Sequence, residues 1–545
     1  MKSMIRKIFW GFFIAWNIFV LYVISGKQEA KKESSQTETT KQIAPKIEPV
    51  TAHAKPIAKK EIITRFETQN AIFDFANDVL RNVELKKYKE YNGSDNKKIV
   101  NNEAIAIVWS GTTKPDENAV WSIKKQNDAL IMQHTNKHGV TFIQRWKYDN
   151  EHGIEIETQV INNSNHTITT QATLCAEKNQ FEQHQSFIFS GISLCADKKI
   201  QNIAPHKIEA QGKNANSGWA AFNEKYWLVA IISNDATQFS AQKIINKSVD
   251  NNALNTDNKT EKYEIRATNN QQQIEAHARA TTQFNLFIGP KDLNVLKQYS
   301  QKINKDGKTI GIENTIDYGW LFFLTKPVNY ILDWLIKHLG VIFALVLFSI
   351  ILKAITWPMT TSSHVSARRL RDINPQLQEI RTRLKGSPQI MHAETSRLYK
   401  QHGINPISGC LPSILQLLLL FPLYKVLSFS ITLYGASFPF WIKDLSLPDP
   451  TSFANLFGLL PFTPPAFLHV GAWPIIMGIT MIVQQKLSST PVPDEQKLLF
   501  TLMPIFFTWL MSSFPAGVLI YWTLMNMLTI LQIIFIDYRE KRRAR

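Results

Sequence analysis

Residues 340–361 read GVIFALVLFSIILKAITWPMTT. The run carries no charge from Gly340 to Leu352, then meets Lys353, and closes on Trp357-Pro358. An apolar run of this length is a transmembrane helix. A charge near its middle costs about 2.5–3.5 kcal/mol on insertion scales, so such a charge is a functional candidate. Ser349 lies one turn before Lys353 and Trp357 one turn after it, on the same face. From this helix alone two readings stay open. In one, the lysine stem reaches past Trp357 and leaves its ammonium among headgroups. In the other, the ammonium faces a polar interior.

The rest of the chain bears on that choice. It has 545 residues, is 44% hydrophobic, and carries a net charge of +17. That length suits more than one domain. From about Lys60 to Gly307 it is rich in Asn, Gln, Lys and Thr, whereas after Tyr318 it is dominated by Leu, Ile, Phe, Trp and Pro. A polar domain joined to a membrane domain fits this split.

The N-terminus, 1–25, has Lys2, Arg6 and Lys7 before an apolar run from Ile8 to Ile24. The run is long for a signal peptide and no A-x-A site follows, which favours a retained anchor with its N-terminus in the cytoplasm. Residues 26–60 hold too few apolar positions to offset ordering entropy and read as a flexible linker. Over 61–310 the pattern is β. Strand-like runs are Ala71–Phe75, Ile105–Trp109, Thr141–Tyr148, Ile154–Ile161, Tyr226–Ile232 and Gln283–Ile288, separated by polar turns. Short strands without a long helical period indicate a sandwich. Its basic surplus reads as solvated surface, with no DNA partner. If this part is exported, a Cys175–Cys195 disulfide is permitted. Gly307-Lys308-Thr309 ends like a P-loop but lacks the earlier glycine, since position 302 is Lys302. Neither HExxH nor GxSxG occurs, and no Cys/His spacing suggests a metal.

Residues 311–339 read as an amphipathic helix on the outer surface, with Trp320, Phe323 and Leu324 before Pro327 and Val328, Ile331, Leu332 and Leu335 at helical spacing after it. The rival reading is a core helix of the β domain. After the 340–361 span comes a basic segment, 362–405, with Arg368, Arg369, Arg371, Arg381 and Arg383. Two helical pieces, Ser363–Leu384 and Pro388–His402, make it a cytoplasmic hairpin under the positive-inside rule. It is a topology signal or a docking surface for anionic lipid or ribosomal RNA. Residues 406–545 supply four more spans: Pro412–Ile431, Leu468–Gln485, Leu498–Met511 and Ala516–Ile536. Lys425 reads as a snorkelling residue near an outer end. The tail, with Arg542 and Arg543, is basic and therefore inside. Six spans result, with both termini cytoplasmic.

In the last span Trp522, Asn526 and Thr529 share one face. With Ser349, Lys353, Gln416, Thr480 and Gln484 they form candidate walls of one polar interior. A single polar residue in a span usually makes a helix–helix hydrogen bond. Several on four helices, with one cation, favour a hydrated cavity. Without paired carboxylates or a nucleophile with its base, catalysis is not expected. Such a cavity lowers the cost of moving a polar peptide partway through a bilayer.

Taken together these residues resemble the YidC-type membrane protein insertases of Gram-negative bacteria. The matching strings are Asp317-Tyr318-Gly319-Trp320-Leu321, Asn405-Pro406 with Gly409-Cys410, Trp441 with Asp444-Leu445-Ser446 and Asp449-Pro450, and Phe514-Pro515 with Gly517. Gly289-Pro290 after the last predicted strand also fits. The resemblance implies a polytopic α-helical membrane protein with a periplasmic all-β supersandwich. Its five core helices surround a hydrophilic groove open to cytoplasm and lipid. It further implies a positive groove residue, usually arginine and here Lys353, and substrate contacts at Gln416, Tyr521 and Trp522. A proline usual soon after that glutamine is absent; Pro422 stands later. The implied activity is insertion of nascent membrane proteins in the inner membrane, alone or with the Sec translocon, without a cofactor. The basic hairpin, the Lys486–Lys497 loop and the tail would receive ribosome, targeting receptor or translocon. The rival from another class is a transporter or channel with Lys353 as an anion site.

Overall fold

The structure is a computed structural model. It describes residues 63–543 except 91–94, 127, 150, 182–187, 197–198, 209–210, 216–217, 234–236, 248–258, 304–310, 385, 404–410, 463 and 489–493. The expected N-terminal anchor and linker lie outside the described residues, as do Asn405-Pro406 and Gly409-Cys410.

Residues 63–290 build two antiparallel sheets, each nine-stranded among the described residues. One sheet runs from Ile63–Glu67 through a meander to Asn96–Gly111, then by Ile168–Lys178 and Lys259–Asn269 to the edge at Gln211–Ala215. The other runs from Lys199–Ile203 through Gly191–Ala196 and Arg279–Pro290 to Ser122–Gln126. Alternation explains the pairing. In Val140–Tyr148 the side chains of Val140, Phe142, Trp146 and Tyr148 are buried on one face. These meet the facing sheet edge-on, with Phe75 and Trp146 ring centroids 5.3 Å apart and Trp109 and Phe142 5.0 Å apart. Cys175 and Cys195 are buried and form no disulfide. They lie in strands of different sheets, one on Ile168–Lys178 and one on Gly191–Ala196.

The last strand ends at Pro290, and Lys291 follows it into the interior. Its Nζ donates to the Glu224 carbonyl at 2.8 Å. Burial pushes its ammonium down to about 7, with Asp317 and Glu224 opposing the shift and Lys425 adding to it. An unfolded lysine titrates near 10.4. Between about 7 and 10.4 the unfolded chain therefore binds more protons, and stability rises with pH across that window. Lys291→Met is expected to flatten this rise, as read from thermal unfolding at pH 7.5 and 9.5. An unchanged slope would locate the titration elsewhere.

Helix α1 (Leu293–Ile303) leads to the membrane-facing part. Helix α2 (Phe322–Leu339) stops at Gly340, whose φ of 77° is a left-handed value that glycine adopts without strain. The chain turns there into α3 (Val341–Asp372). A short hairpin, α4 (Asn374–Arg383) and α5 (Pro388–Gln401), has its own small core of Ile373, Leu377 and Leu398. Residues 365–409 cluster as a unit separate from 54–364 and 410–545. Helices α6 (Leu411–Phe429), α7 (Ala472–Leu487), α8 (Asp494–Met511) and α9 (Ala516–Arg543) complete the chain. Among the described residues, α3 and the Ala516–Arg539 part of α9 are long and apolar enough to cross a bilayer; Leu418–Phe429 and Phe500–Met511 are shorter apolar helices. The span expected from Leu468 begins as a helix only at Ala472.

On α2 polar and apolar side chains are buried together, Thr325 and Asn329 beside Leu332, Leu335 and Ile336. Asn329 is buried, and Asp333 accepts from Thr432 Oγ1 at 3.0 Å, while Tyr330 and Trp334 are exposed. Trp320, Phe323 and Ile331 are exposed on this segment, and Leu332 and Leu335 are buried. Lys425 departs from the sequence reading. Instead of reaching headgroups, its Nζ donates to Asp317 Oδ2 at 2.7 Å. Asp317 Oδ1 accepts the Gly319 N–H at 2.8 Å, so both carboxylate oxygens are engaged.

The segment after α6 touches the sandwich. Ile431 joins the sandwich core, and the Tyr434 ring lies 5.2 Å from that of Tyr226 and 5.4 Å from that of Trp227. The Tyr434 hydroxyl donates to the Lys89 carbonyl at 3.0 Å, and Lys225 Nζ to that of Ser446 at 3.3 Å.

Candidate functional site

Helix α3 is inverted relative to a helix of a water-soluble protein. Its exposed side carries Phe343, Leu347, Ile350, Ile351 and Ile355. Its buried side in the second half carries Ser349, Lys353, Thr356, Thr360 and Ser363. That spacing of three and four is one helical face. Apolar side chains outward and polar ones inward suit a hydrocarbon solvent, where polar groups must find partners within the protein.

The partner face belongs to α9. There Thr523, Asn526, Thr529 and Gln532 are buried, while Met527, Leu531, Ile534 and Phe535 are exposed. Lys353, 5% exposed, donates from Nζ to Thr529 Oγ1 at 2.9 Å. The Thr529 hydroxyl itself donates a hydrogen bond to the Met525 carbonyl at 2.7 Å, leaving a lone pair for the ammonium. Two turns along, Gln532 Oε1 accepts from Thr360 Oγ1 at 2.9 Å. Its Nε2 donates to Thr361 Oγ1 at 2.9 Å and to the Trp357 carbonyl at 3.1 Å. On the same buried side of α9, Asn526 Nδ2 donates to Thr480 Oγ1 on α7 at 3.0 Å. The ammonium of Lys353 thus faces α9. Among the described residues no carboxylate lies at ion-pair distance from it.

The structure brings four of the sequence candidates into contact, as the pairs Lys353–Thr529 and Asn526–Thr480. Ser349 is buried one turn away but donates within its own helix, to the Leu345 carbonyl at 2.7 Å. Gln416 and Gln484 are half-buried. The adjacent Gln485 is the one that crosses between helices, donating to the Phe500 carbonyl at 2.6 Å. Trp522 packs its ring 6.2 Å from that of Phe507, and Tyr521 is buried with a hydroxyl that finds no hydrogen-bond partner among the described residues. Sequence reasoning missed Gln532, Thr356 and Thr360. The signal was available, because Gln532 stands three residues beyond Thr529 on the face already traced.

Of the basic candidates, Arg369, Arg371, Arg381 and Arg383 are exposed and Arg368 is half-buried. Arg542 is exposed with its guanidinium 5.4 Å from the Tyr538 ring centroid, and Arg543 ends the last helix. Among the described residues no group of three His, Cys, Asp or Glu side chains is placed to hold a metal ion.

The sequence matches two family models, YidC periplasmic domain over residues 73–331 and 60Kd inner membrane protein over residues 334–543. It is 32% identical over 460 residues to the membrane protein insertase YidC of Nitrobacter hamburgensis, covering 80% of this chain and 74% of that protein. It is 29% identical over 556 residues to the membrane protein insertase YidC of Rickettsia akari, covering 96% of each. Compared with the crystal structure of an active YidC insertase, the TM-score is 0.37 at 14% identity, over 87% of this chain and 92% of that one. The chain belongs to the YidC family of membrane protein insertases, inner-membrane proteins that act on other membrane proteins and are not enzymes.

Proposed function

We propose that insertion runs through the polar seam between α3, α7 and α9, with Lys353 as its receiving charge. The observation that supports this is the buried ammonium, which among the described residues is held by one hydroxyl with no carboxylate at ion-pair distance. At about 4 Å and an effective dielectric near 20, an opposite charge is attracted by about 4 kcal/mol. An acidic residue on an entering segment would displace Thr529 as the partner. Asn526, Thr480 and Gln532 would exchange their mutual hydrogen bonds for bonds to the segment's backbone, lowering its desolvation cost. Since Lys353 and Asn526 are buried in this conformation, the helices part to admit a substrate. The apolar part of the substrate would leave along the lipid-facing sides of α6 and α8, driven by partition into hydrocarbon.

The topology that goes with this reading has six spans. Residues 1–25 form the first, 340–361 the second, and 406–545 the other four. Both termini face the cytoplasm, and 26–60 link the anchor to the sandwich at 61–310. Positive charge places 362–405 and the tail inside. Arg369, Arg371, Arg381, Arg383 and Arg542 would dock ribosome, targeting receptor or Sec translocon there. Gln416, Tyr521 and Trp522 enter as substrate contacts only after the seam opens.

The test is photo-cross-linking from Thr480 and Asn526 to a stalled nascent membrane protein. Adducts are expected from both positions and not from Ile355 on the lipid side. Adducts from Ile355 alone would move the path to the helix exterior and refute the seam.

A further inference from the structure

Between Asp449 and Lys486 the sequence contains no Asp, Glu, Lys or Arg. The second half of this interval is α7. The first half, among the described residues of 451–471, is not helical beyond short 3-10 turns, yet its large apolar side chains from Phe453 to Leu468 are mostly exposed. Leu459 is 83% exposed, Phe467 65% and Phe457 49%. Water would not reward this arrangement, and neither would the backbone. Leu456 and Phe457 have φ of 51° and 57°, left-handed values unfavourable to both side chains.

The loop is nevertheless built. Asp449 pins its base, accepting the Thr451 N–H at 2.9 Å and the Trp473 N–H at 2.8 Å. Its tip satisfies its own amides. The Phe457 N–H reaches the Ser452 carbonyl at 2.7 Å, the Gly458 N–H the Asn455 side chain at 3.0 Å, and the Leu460 N–H the Asn455 carbonyl at 3.1 Å. Pro461, Pro464 and Pro465 have no amide hydrogen to satisfy. Such internal pairing is what a backbone needs where water is scarce.

Its neighbour is a lipid-facing helix. Trp509 Nε1 donates to the Phe467 carbonyl at 2.9 Å. Phe467 and Leu468 therefore continue the exposed apolar side of α8, formed by Leu502, Ile505 and Phe506. Because the chain between α6 and this loop touches the sandwich through Tyr434 and Ser446, the loop lies toward the sandwich end of the helices.

We propose that Phe453–Leu468 is a membrane wedge whose Leu456, Phe457 and Leu459 enter the outer leaflet among phospholipid acyl chains. The absence of charge and the continuity with α8 favour lipid over a protein partner.

The test places a benzophenone side chain at Phe457 or Leu459 of the full chain, in vesicles of phosphatidylethanolamine and phosphatidylglycerol. Val120, exposed on the sandwich, serves as the control. Irradiation is expected to give phospholipid adducts at 457 and 459 at least tenfold above those at 120, by mass spectrometry. Adduct levels equal to the control would overturn the proposal. So would adducts that join two copies of the chain in place of lipid.

Discussion

Lys353→Met is expected to make the protein more stable and less able to insert substrates with acidic translocated segments. Both effects come from the same geometry. The ammonium is buried with one hydroxyl, Thr529 Oγ1 at 2.9 Å, as its partner. Removing a charge so placed and filling the space with a chain of similar volume is neutral or stabilising. The gain expected from such a replacement is at most about 1–4 kcal/mol. The insertion defect should be tenfold or more for segments carrying Asp or Glu, and small for neutral ones, when protease protection is measured in proteoliposomes. Lys353→Arg keeps the charge and is expected to retain most activity, although its planar fork must find room beside Thr529. Equal insertion of acidic and neutral segments by the methionine variant would refute the role given to Lys353.

The second large effect concerns Asp317. Its carboxylate holds Lys425 at 2.7 Å and the Gly319 amide at 2.8 Å. Asp317→Ala removes the counter-charge from an ammonium on α6 and loosens the turn that leads into α2. The pair is partly exposed, with side-chain accessibilities of 16% for Lys425 and 34% for Asp317, so screening reduces its strength. A loss of about 1–3 kcal/mol in stability is expected, between the exposed and buried limits. Adding Lys425→Met to this variant should restore much of the loss, because the charge that Asp317 had balanced goes with it. A double-mutant cycle on thermal unfolding in nanodiscs measures the coupling. Simple additivity of the two substitutions would show that the pair contributes nothing. Gly319 reports on the same turn: its φ is 70°, and a Cβ there would lie 3.3 Å from Lys425 Cε.

What could be read from the sequence follows from which physical signals are local. Alternation in Val140–Tyr148 and Gly153–Asn162 marked strands correctly because one face of each is buried and the other is not. Gly191–Ala196 and Gly218–Asn223 are buried on both faces and have no alternation to detect. Lys259–Asn269 buries Tyr263, Ile265 and Ala267 on one face, but Lys262, Glu264 and Arg266 on the other keep it from standing out as an apolar run. In the helices, Asn526 and Thr529 were legible from their spacing, and the pairing with Lys353 was legible only as a shared polar interior. The fate of Lys425 was not legible, because its partner lies 108 residues away. Nothing near Lys425 distinguishes a lysine that meets a carboxylate from one that meets lipid.

The hydrogen bond from Tyr434 to Lys89 joins residues 345 positions apart. Its closure therefore awaits synthesis of the segment beyond α6, long after the strands around Lys89 have left the ribosome. Short-range sheet pairing comes early and this long loop closes late, since chain entropy opposes distant contacts most. A nascent chain halted just after Phe429 would carry a folded sandwich not yet seated on its base. The protein's own maturation thus has a final docking event, set by where one tyrosine falls in the order of translation.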